Sequence, residues 1–269
     1  MMSRSSPYAG QPAKKWKEIT QSLLAVHPLK ENVILEVALL AWQKVWATTI
    51  GTGRTAIRLT DLDVPATVIG YFFEVLFAKE MENRFPGQWR GTRNKEEKDL
   101  VYIPDLTLSV ELKTSGQLGY KVYGNRSYGQ KLQKAELAKK EKSGYYITMN
   151  FYKRTLTLLR FGWIDASDWR PQASPTGQMA GLSDKVYQNK LVVIAGDYRL
   201  DAPLRLLSGV GPATAEQFQK LGIRTIRELL GSPKLSVKRL EAIRASACRE
   251  YQVAAEPTGE ESGTEESSL

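Results

Sequence analysis

Apolar residues along this chain repeat with two periods, which separate predicted helices from predicted strands. Helical spacing covers three segments, residues 13–28, 31–49 and 66–83. Alternation in period two covers residues 145–152 and 155–161, which predicts a hairpin. The remaining segments are a predicted helix at 130–142, a predicted strand at 191–195, a predicted loop at 116–129 and a loop-rich segment at 165–189. That order of elements predicts the α/β fold class.

The stretch 99–113 carries the most informative pattern, two alternating strands around Pro104-Asp105. In period-two geometry Glu111 and Lys113 project from one face of the second strand, and its apolar residues project from the other. The apolar face is explained as core, but an acid and an amine side by side are unusual in so apolar a strand. This pair is therefore a candidate for chemistry.

Geometry favours Asp99 over Asp105 as the acid that partners Glu111. Six steps along a continuous strand would separate Asp105 from Glu111 by roughly 20 Å. Pro-Asp is also good turn chemistry, and a chain that reverses there returns Asp99 beside Glu111, with β-carbons about 5 Å apart. The two acids share a face only if the loop has three or five residues or if the strand contains a bulge.

Charge and residue counts narrow the possible chemistry. The net charge is +9, and the acidic tail 254–269, which we predict to be disordered, holds five Glu and no Lys or Arg, so the rest carries +14. That excess favours a polyanionic partner. His27 and Cys248 are the only histidine and cysteine, which excludes a His/Cys zinc site and Ser-His or Cys-His triads; His27 is predicted to be a packing residue. An enzyme built from this chain would need carboxylates, lysines and a hard metal ion.

The same sequence predicts a cytoplasmic protein that does not cross a membrane. It has no run of about 18 apolar residues, and its first residues lack the apolar segment of a signal peptide. A single cysteine excludes an internal disulfide and fits a reducing compartment.

Asp99, Glu111 and Lys113 together resemble the motif of the PD-(D/E)XK nucleases, the fold of most type II restriction endonucleases. The resemblance implies a restriction-endonuclease-like core over residues 1–200, with a central mixed β-sheet flanked by helices. It also implies that Asp99, Glu111 and the carbonyl of Leu112 bind Mg²⁺, while Lys113 orients or deprotonates the attacking water.

Families of this fold often add a glutamate from the preceding helix. Glu74 lies in an otherwise apolar part of the predicted helix 66–83, where a lone buried charge would be costly. It is our fourth catalytic candidate, and the alternative is an ordinary solvated helix residue.

The polar, glycine-rich loop after the candidate catalytic strand is the predicted DNA reader. Side chains of Arg, Asn, Gln and Lys read base edges and hold phosphates, although a flexible linker is the alternative. The predicted DNA contacts are Lys121, Tyr123, Asn125, Arg126, Ser127, Tyr128 and Gln130.

Residues 206–230 resemble a helix-hairpin-helix DNA-binding module, with Gly209-Val210-Gly211 followed by Leu-Gly-Ile and Leu-Leu. Glycine lets the backbone turn tightly and leaves amides accessible at a helix N-terminus, where an anion can bind. The resemblance implies that Gly209, Val210, Gly211 and Thr214 grip a DNA phosphate without reading sequence. We assign residues 203–253 to this small all-α subdomain, with a plain helical hairpin as the alternative.

The phrases around Asp99, Glu111 and Asn125 are similar to the ScaI-type group of restriction enzymes. We therefore predict a Mg²⁺-dependent, sequence-specific type II restriction endonuclease for double-stranded DNA. Cleavage of both strands favours a homodimer, since the two strands present two-fold related phosphates. The alternatives are a structure-specific repair or junction-resolving nuclease with the same core, and a non-catalytic DNA-binding protein.

Overall fold

A computed structural model describes residues 5–125, 128, 142–172 and 179–255. The chain divides into two compact units, Met1–Ile194 and Ala195–Leu269. Each unit is described by itself below.

The first unit is an α/β structure, as the sequence predicts. Its described helices are α1 (Trp16–Val26), α2 (Glu31–Ala47), α3 (Ala66–Arg84) and α4 (Asp184–Asn189). Its first described strands are β1 (Thr49–Ile50), β2 (Ile57–Arg58), β3 (Trp89–Gly91), β4 (Leu100–Tyr102), β5 (Val110–Ser115) and β6 (Tyr123–Asn125). The later ones are β7 (Gly144–Tyr152), β8 (Thr155–Ile164), β9 (Arg170–Pro171), β10 (Met179–Gly181) and β11 (Leu191–Val193).

A six-stranded mixed sheet forms the centre of this unit, in the order β11-β8-β7-β5-β4-β3. Only the pairing of β5 with β7 is parallel among the described strands of this sheet. The predicted hairpin of β7 and β8 is confirmed, with a register shift at Asn150/Phe151. Lys153 adopts a positive φ of 54° at its turn.

The two faces of the sheet have different coverings because neighbouring side chains alternate between them. On one face, His27 packs against Tyr145 with ring centroids 4.1 Å apart, and Trp42 of α2 packs against Phe151 with ring centroids 5.0 Å apart. Helix α3 lies against β5 so closely that a β-carbon on Gly70 would meet the Thr114 hydroxyl oxygen at 2.1 Å. The prediction that His27 is a packing residue is confirmed, since it is fully buried.

The opposite face carries polar side chains in register across three strands. Lys113 on β5 aligns with Thr148 on β7 and Arg160 on β8. Glu111 aligns with Tyr146 in the same way. Because this face holds both candidate catalytic side chains, it is the face on which a substrate would meet them.

A small sheet that the sequence did not predict lies in the region assigned to loops. Its strand order is β6-β10-β9 and all its pairings are antiparallel. Strand β6 lies within the predicted loop 116–129, so that prediction is wrong at these residues, and the segment 165–189, predicted to be rich in loops, holds β9, β10 and α4. The predicted helix 130–142 lies outside the described residues except for Lys142.

The second unit contains α5 (Pro212–Lys220), α6 (Ile226–Gly231) and α7 (Lys238–Ala255). These helices enclose a core that includes the fully buried side chains of Phe218, Ile226 and Leu229. An isolated β-bridge between Pro203 and Thr225 ties the segment before α5 to the start of α6. Helix α7 includes the first two residues of the predicted tail, and 256–269 lie outside the described residues.

Within the described ranges, no helix combines the length and the apolarity needed to cross a membrane.

Candidate active site

The hairpin of β4 and β5 brings the two candidate acids together. Leu100 pairs with Val110 in an antiparallel ladder, which places Asp99 opposite Glu111 one step further along. The predicted register is therefore confirmed. The connection is longer than predicted, seven residues from 103 to 109, and its odd length keeps both acids on one face.

Asp105 has a structural position in this connection. Its carboxylate caps a short 3₁₀ turn by accepting hydrogen bonds from the Thr107 amide at 2.9 Å and the Thr107 hydroxyl at 2.5 Å. Capping of this kind is what an Asp after Pro does in a turn. Asp105 is exposed, and the chain carries it away from Glu111.

Asp99, Glu111 and the Leu112 backbone converge on the Lys113 ammonium group. Lys113 Nζ donates to Glu111 Oε1 at 2.7 Å and to the Leu112 carbonyl at 2.9 Å, and it lies 3.9 Å from Asp99 Oδ2. The same Asp99 oxygen accepts a hydrogen bond from the Leu112 amide at 2.9 Å. The oxygens of all three predicted metal ligands thus surround one positive charge.

Burial makes this charge cluster unusual. Glu111 is 2% exposed. Burial by itself would lower the pKa of Lys113, but the carboxylates of Glu111 and Asp99 outweigh it and raise that pKa above its ordinary value. Lys113 is therefore a cation throughout the neutral range.

The donor set fits a hard divalent cation. Mg²⁺ prefers carboxylate, carbonyl and water oxygens, and the two carboxylates and the carbonyl already converge on a cationic group. No group of three or more His, Cys, Asp or Glu side chains suited to a metal occurs among the described residues. Bound Mg²⁺ would therefore need water or substrate oxygens to complete its coordination.

Tyr128 occupies a different place from the one predicted. We expected a DNA contact, but the side chain is 8% exposed and its hydroxyl donates to Glu111 Oε1 at 2.8 Å. Burial and the nearby Glu111 charge both raise the pKa of Tyr128 above its ordinary value, so its hydroxyl stays protonated. The sequence contains no spacing signal for this contact, because Tyr128 lies outside the strand that carries Glu111.

The other predicted contacts after β5 divide into two groups. Lys121 and Asn125 are exposed, and Tyr123 is half-buried. Arg126, Ser127 and Gln130 lie outside the described residues. DNA contact by this segment stays a prediction.

Buried Arg160, which the sequence analysis did not select, holds the chain before β6 in place. Its guanidinium donates to Thr148 Oγ1 at 3.0 Å, to Asn150 Oδ1 at 2.8 Å and to the Tyr120 carbonyl at 2.6 Å. The side-chain Nδ2 of Asn150 in turn donates to the Lys121 carbonyl at 2.9 Å. The sequence signal that could have identified Arg160 is a lone Arg in the apolar strand 155–164, since a buried guanidinium needs several hydrogen-bond acceptors around it.

Glu74 lies one helical turn after Gly70 and is half-buried. Gly70 contacts Thr114, and Thr114 projects from the opposite face of β5 to Glu111 and Lys113. A catalytic role for Glu74 stays a prediction.

The predicted phosphate-binding turn of the second unit precedes α5. Gly209 has a positive φ of 79°, and Gly211 is the N-cap residue with Pro212 in the first helical position. Both glycines are exposed, whereas Val210 and Thr214 are buried. The buried Val210 and Thr214 side chains support the turn from inside. Contact with DNA by the segment's four predicted residues, Gly209, Val210, Gly211 and Thr214, stays a prediction.

The comparisons with known proteins place the chain in a family. The ScaI restriction endonuclease family matches residues 6–195. The type II restriction enzyme ScaI of Streptomyces caespitosus is 35% identical over 200 residues, which cover 70% of this chain and 84% of that enzyme. No solved structure matches the chain. The family match spans the two acids, the lysine, the six-stranded sheet and the small sheet, and so the chain belongs to the ScaI restriction endonuclease family, in the class of type II site-specific deoxyribonucleases.

Proposed function

We propose that this enzyme hydrolyses both strands of double-stranded DNA at a specific sequence, in a Mg²⁺-dependent reaction on a PD-(D/E)XK core. One observation carries the proposal, the convergence of Asp99, Glu111 and the Leu112 carbonyl on Lys113 Nζ. Glu111 lies on β5, and Asp99 immediately precedes β4, the antiparallel neighbour of β5 in the mixed sheet. An arrangement of this kind joins oxygen ligands for a divalent ion to an adjacent fixed cation.

Each residue has a separate role in the proposed reaction. Asp99, Glu111 and the Leu112 carbonyl hold Mg²⁺, which when bound would act as a Lewis acid toward the scissile phosphate. Lys113 orients the attacking water and stabilises the negative charge that develops in the transition state. Hydrogen bonds to Glu111 and to the Leu112 carbonyl place its ammonium group beside the proposed metal ligands.

We assign sequence reading and phosphate binding to different parts of the chain. Lys121, Tyr123 and Asn125 follow the catalytic strand directly, and side chains of these types contact base edges and phosphates. The amides at Gly209 and Gly211 precede the N-terminus of α5 and suit a phosphate. A backbone contact of this kind adds affinity without sequence preference.

Two copies would serve the two strands of the substrate. Helix α3 carries a stripe of exposed apolar side chains at helical spacing, Val68, Tyr71 and Val75, with Tyr71 66% exposed. Its neighbour α2 adds exposed Leu39 and Leu40. We propose that this surface pairs two copies of the chain, which sedimentation of wild type and of Tyr71→Arg would test. A wild-type monomer at micromolar concentration, bound to DNA or not, would refute the pairing.

Digestion of a plasmid library tests the proposed reaction. With Mg²⁺ we expect double-strand ends that map to one recurring sequence. EDTA should abolish cleavage, and added Mg²⁺ should restore it. Sustained turnover without any divalent ion would refute the mechanism, and ends that follow DNA structure instead of sequence would favour the junction-resolving alternative.

A further inference from the structure

The hydroxyl of Tyr128 contacts the same Glu111 oxygen that Lys113 contacts. Tyr128 donates to Oε1 at 2.8 Å and Lys113 donates to it at 2.7 Å. Two donors on one oxygen fix the rotation of the carboxylate, which sets the direction in which it faces a ligand. Tyr128 also packs edge-on against Trp169, with ring centroids 4.9 Å apart, so its own ring is held in place.

The backbone of β6 is the surface on which the Tyr128 ring rests. A β-carbon added to Gly124 would lie 2.7 Å from Tyr128 Cγ and 3.0 Å from its Cβ. Real β-carbons do not approach other atoms so closely, and the clash is with the stem of a buried ring. Gly124 therefore lets the strand and the ring make direct contact.

The small sheet connects this contact to an exposed surface. Its buried face includes Gly124 and Ala180, which pair across the sheet. Its exposed residues include Asn125, Met179 and Arg170. A ligand on the exposed residues would thus bear on a strand whose other face supports Tyr128.

We propose that Tyr128 is a positioning residue that couples the small sheet, and the DNA held on it, to the orientation of Glu111. The inference rests on the proposed function, because it gives Glu111 the role of a metal ligand and the small sheet the role of a DNA contact. A shift of β6 would then change the cleavage rate, because β6 supports the Tyr128 ring and the Tyr128 hydroxyl orients Glu111. Asn125, Met179 and Arg170 form the corresponding DNA-facing surface.

Tyr128→Phe tests the positioning role, because it keeps the ring and removes only the hydroxyl. Loss of a residue that orients a metal ligand typically costs about 10- to 100-fold in metal affinity or activity. We expect a fall of that size in the single-turnover cleavage rate and a higher Mg²⁺ concentration at half-maximal rate. DNA affinity without metal should stay within about twofold of wild type, because the hydroxyl faces Glu111 and not the substrate.

Tyr187→Phe is the matched control. Tyr187 belongs to the same buried cluster, and its hydroxyl bonds to the Val122 amide at 2.9 Å and to the Val122 carbonyl at 3.2 Å, not to Glu111. This variant should lose thermal stability and keep the wild-type Mg²⁺ midpoint. An equal shift of the midpoint in both variants would show a general packing effect and overturn the proposal.

Gly124→Ala tests the coupling through β6. It should lower the cleavage rate in an otherwise wild-type chain and have little further effect in Tyr128→Phe, since displacing the ring matters only while its hydroxyl holds Glu111. Additive losses would refute the coupling. If Gly124→Ala does not fold, the Tyr128→Phe comparison still decides the positioning role. If Tyr128→Phe cleaves at the wild-type rate and Asp99→Asn is inactive, this inference alone is refuted. If Asp99→Asn is active, the proposed function is refuted.

Discussion

Substitution of the two aspartates of the β4–β5 hairpin separates metal binding from turn stability. Asp99→Asn keeps the size of the side chain and an oxygen that can accept the Leu112 amide, but removes the charge. Asp105→Ala removes the cap of the 3₁₀ turn and leaves Asp99 and Glu111 in place. We expect the first variant to fold and not to cleave, and the second to cleave.

The size of the Asp99 effect follows from the geometry. Asp99 Oδ2 lies 3.9 Å from the cationic group at the centre of the site. Two unit charges about 4 Å apart interact by about 4 kcal/mol at an effective dielectric constant of about 20. Because each 1.36 kcal/mol or so corresponds to a tenfold change in rate, the loss of this carboxylate charge should slow cleavage about a thousandfold. The effect on a divalent ion would be larger.

The Asp105 effect should appear in stability instead. Loss of a capping side chain costs about 1 kcal/mol, which lowers Tm by about 2–4 °C in a protein of this size. The assay is single-turnover cleavage of a plasmid with the cognate site below the Tm of both variants, with circular dichroism to verify folding. An inactive Asp105→Ala together with an active, folded Asp99→Asn would refute the reasoning and make the literal Pro-Asp acid the metal ligand.

Three further predictions follow from other parts of the molecule. Lys113→Ala should abolish cleavage and leave specific DNA binding nearly intact in a gel-shift titration; cleavage within a few-fold of wild type would contradict its role. Removal of residues 203–269 should weaken DNA affinity and flatten its salt dependence without changing the sequence that is cut; altered end-mapping would contradict the separation of phosphate binding from reading. Burial lowers the pKa of His27 to about 4, below its value of about 6.5 in the unfolded chain. Full stability is therefore present above pH 6.5 or so, and about 2–3 kcal/mol of it should be lost as the pH falls toward 4.5. The free energy of unfolding in urea, measured at pH 6.5 and at pH 4.5, gives this loss. An equally large loss in His27→Gln would contradict its assignment to His27.

The sequence by itself determined the elements with long, regular patterns. Helical spacing predicted α1, α2 and α3, and period two predicted β7 and β8. The sequence also determined the partnership of Asp99 with Glu111, because strand geometry excluded Asp105 and the Pro-Asp turn reversed the chain. These inferences succeeded because they depend on interactions between residues close together along the chain or across one hairpin.

Tertiary structure alone decided the small sheet and the contacts that it makes. Its strands have two or three residues each, too few to show a period, and they come from segments about fifty residues apart. The same reason explains why the sequence did not predict the contacts of Tyr128 and Arg160. Which hydroxyl meets Glu111, and which carbonyls satisfy a buried guanidinium, depends on how distant segments return to one sheet face. That return is set by packing of the whole core, a property that no local pattern of apolar and polar residues contains.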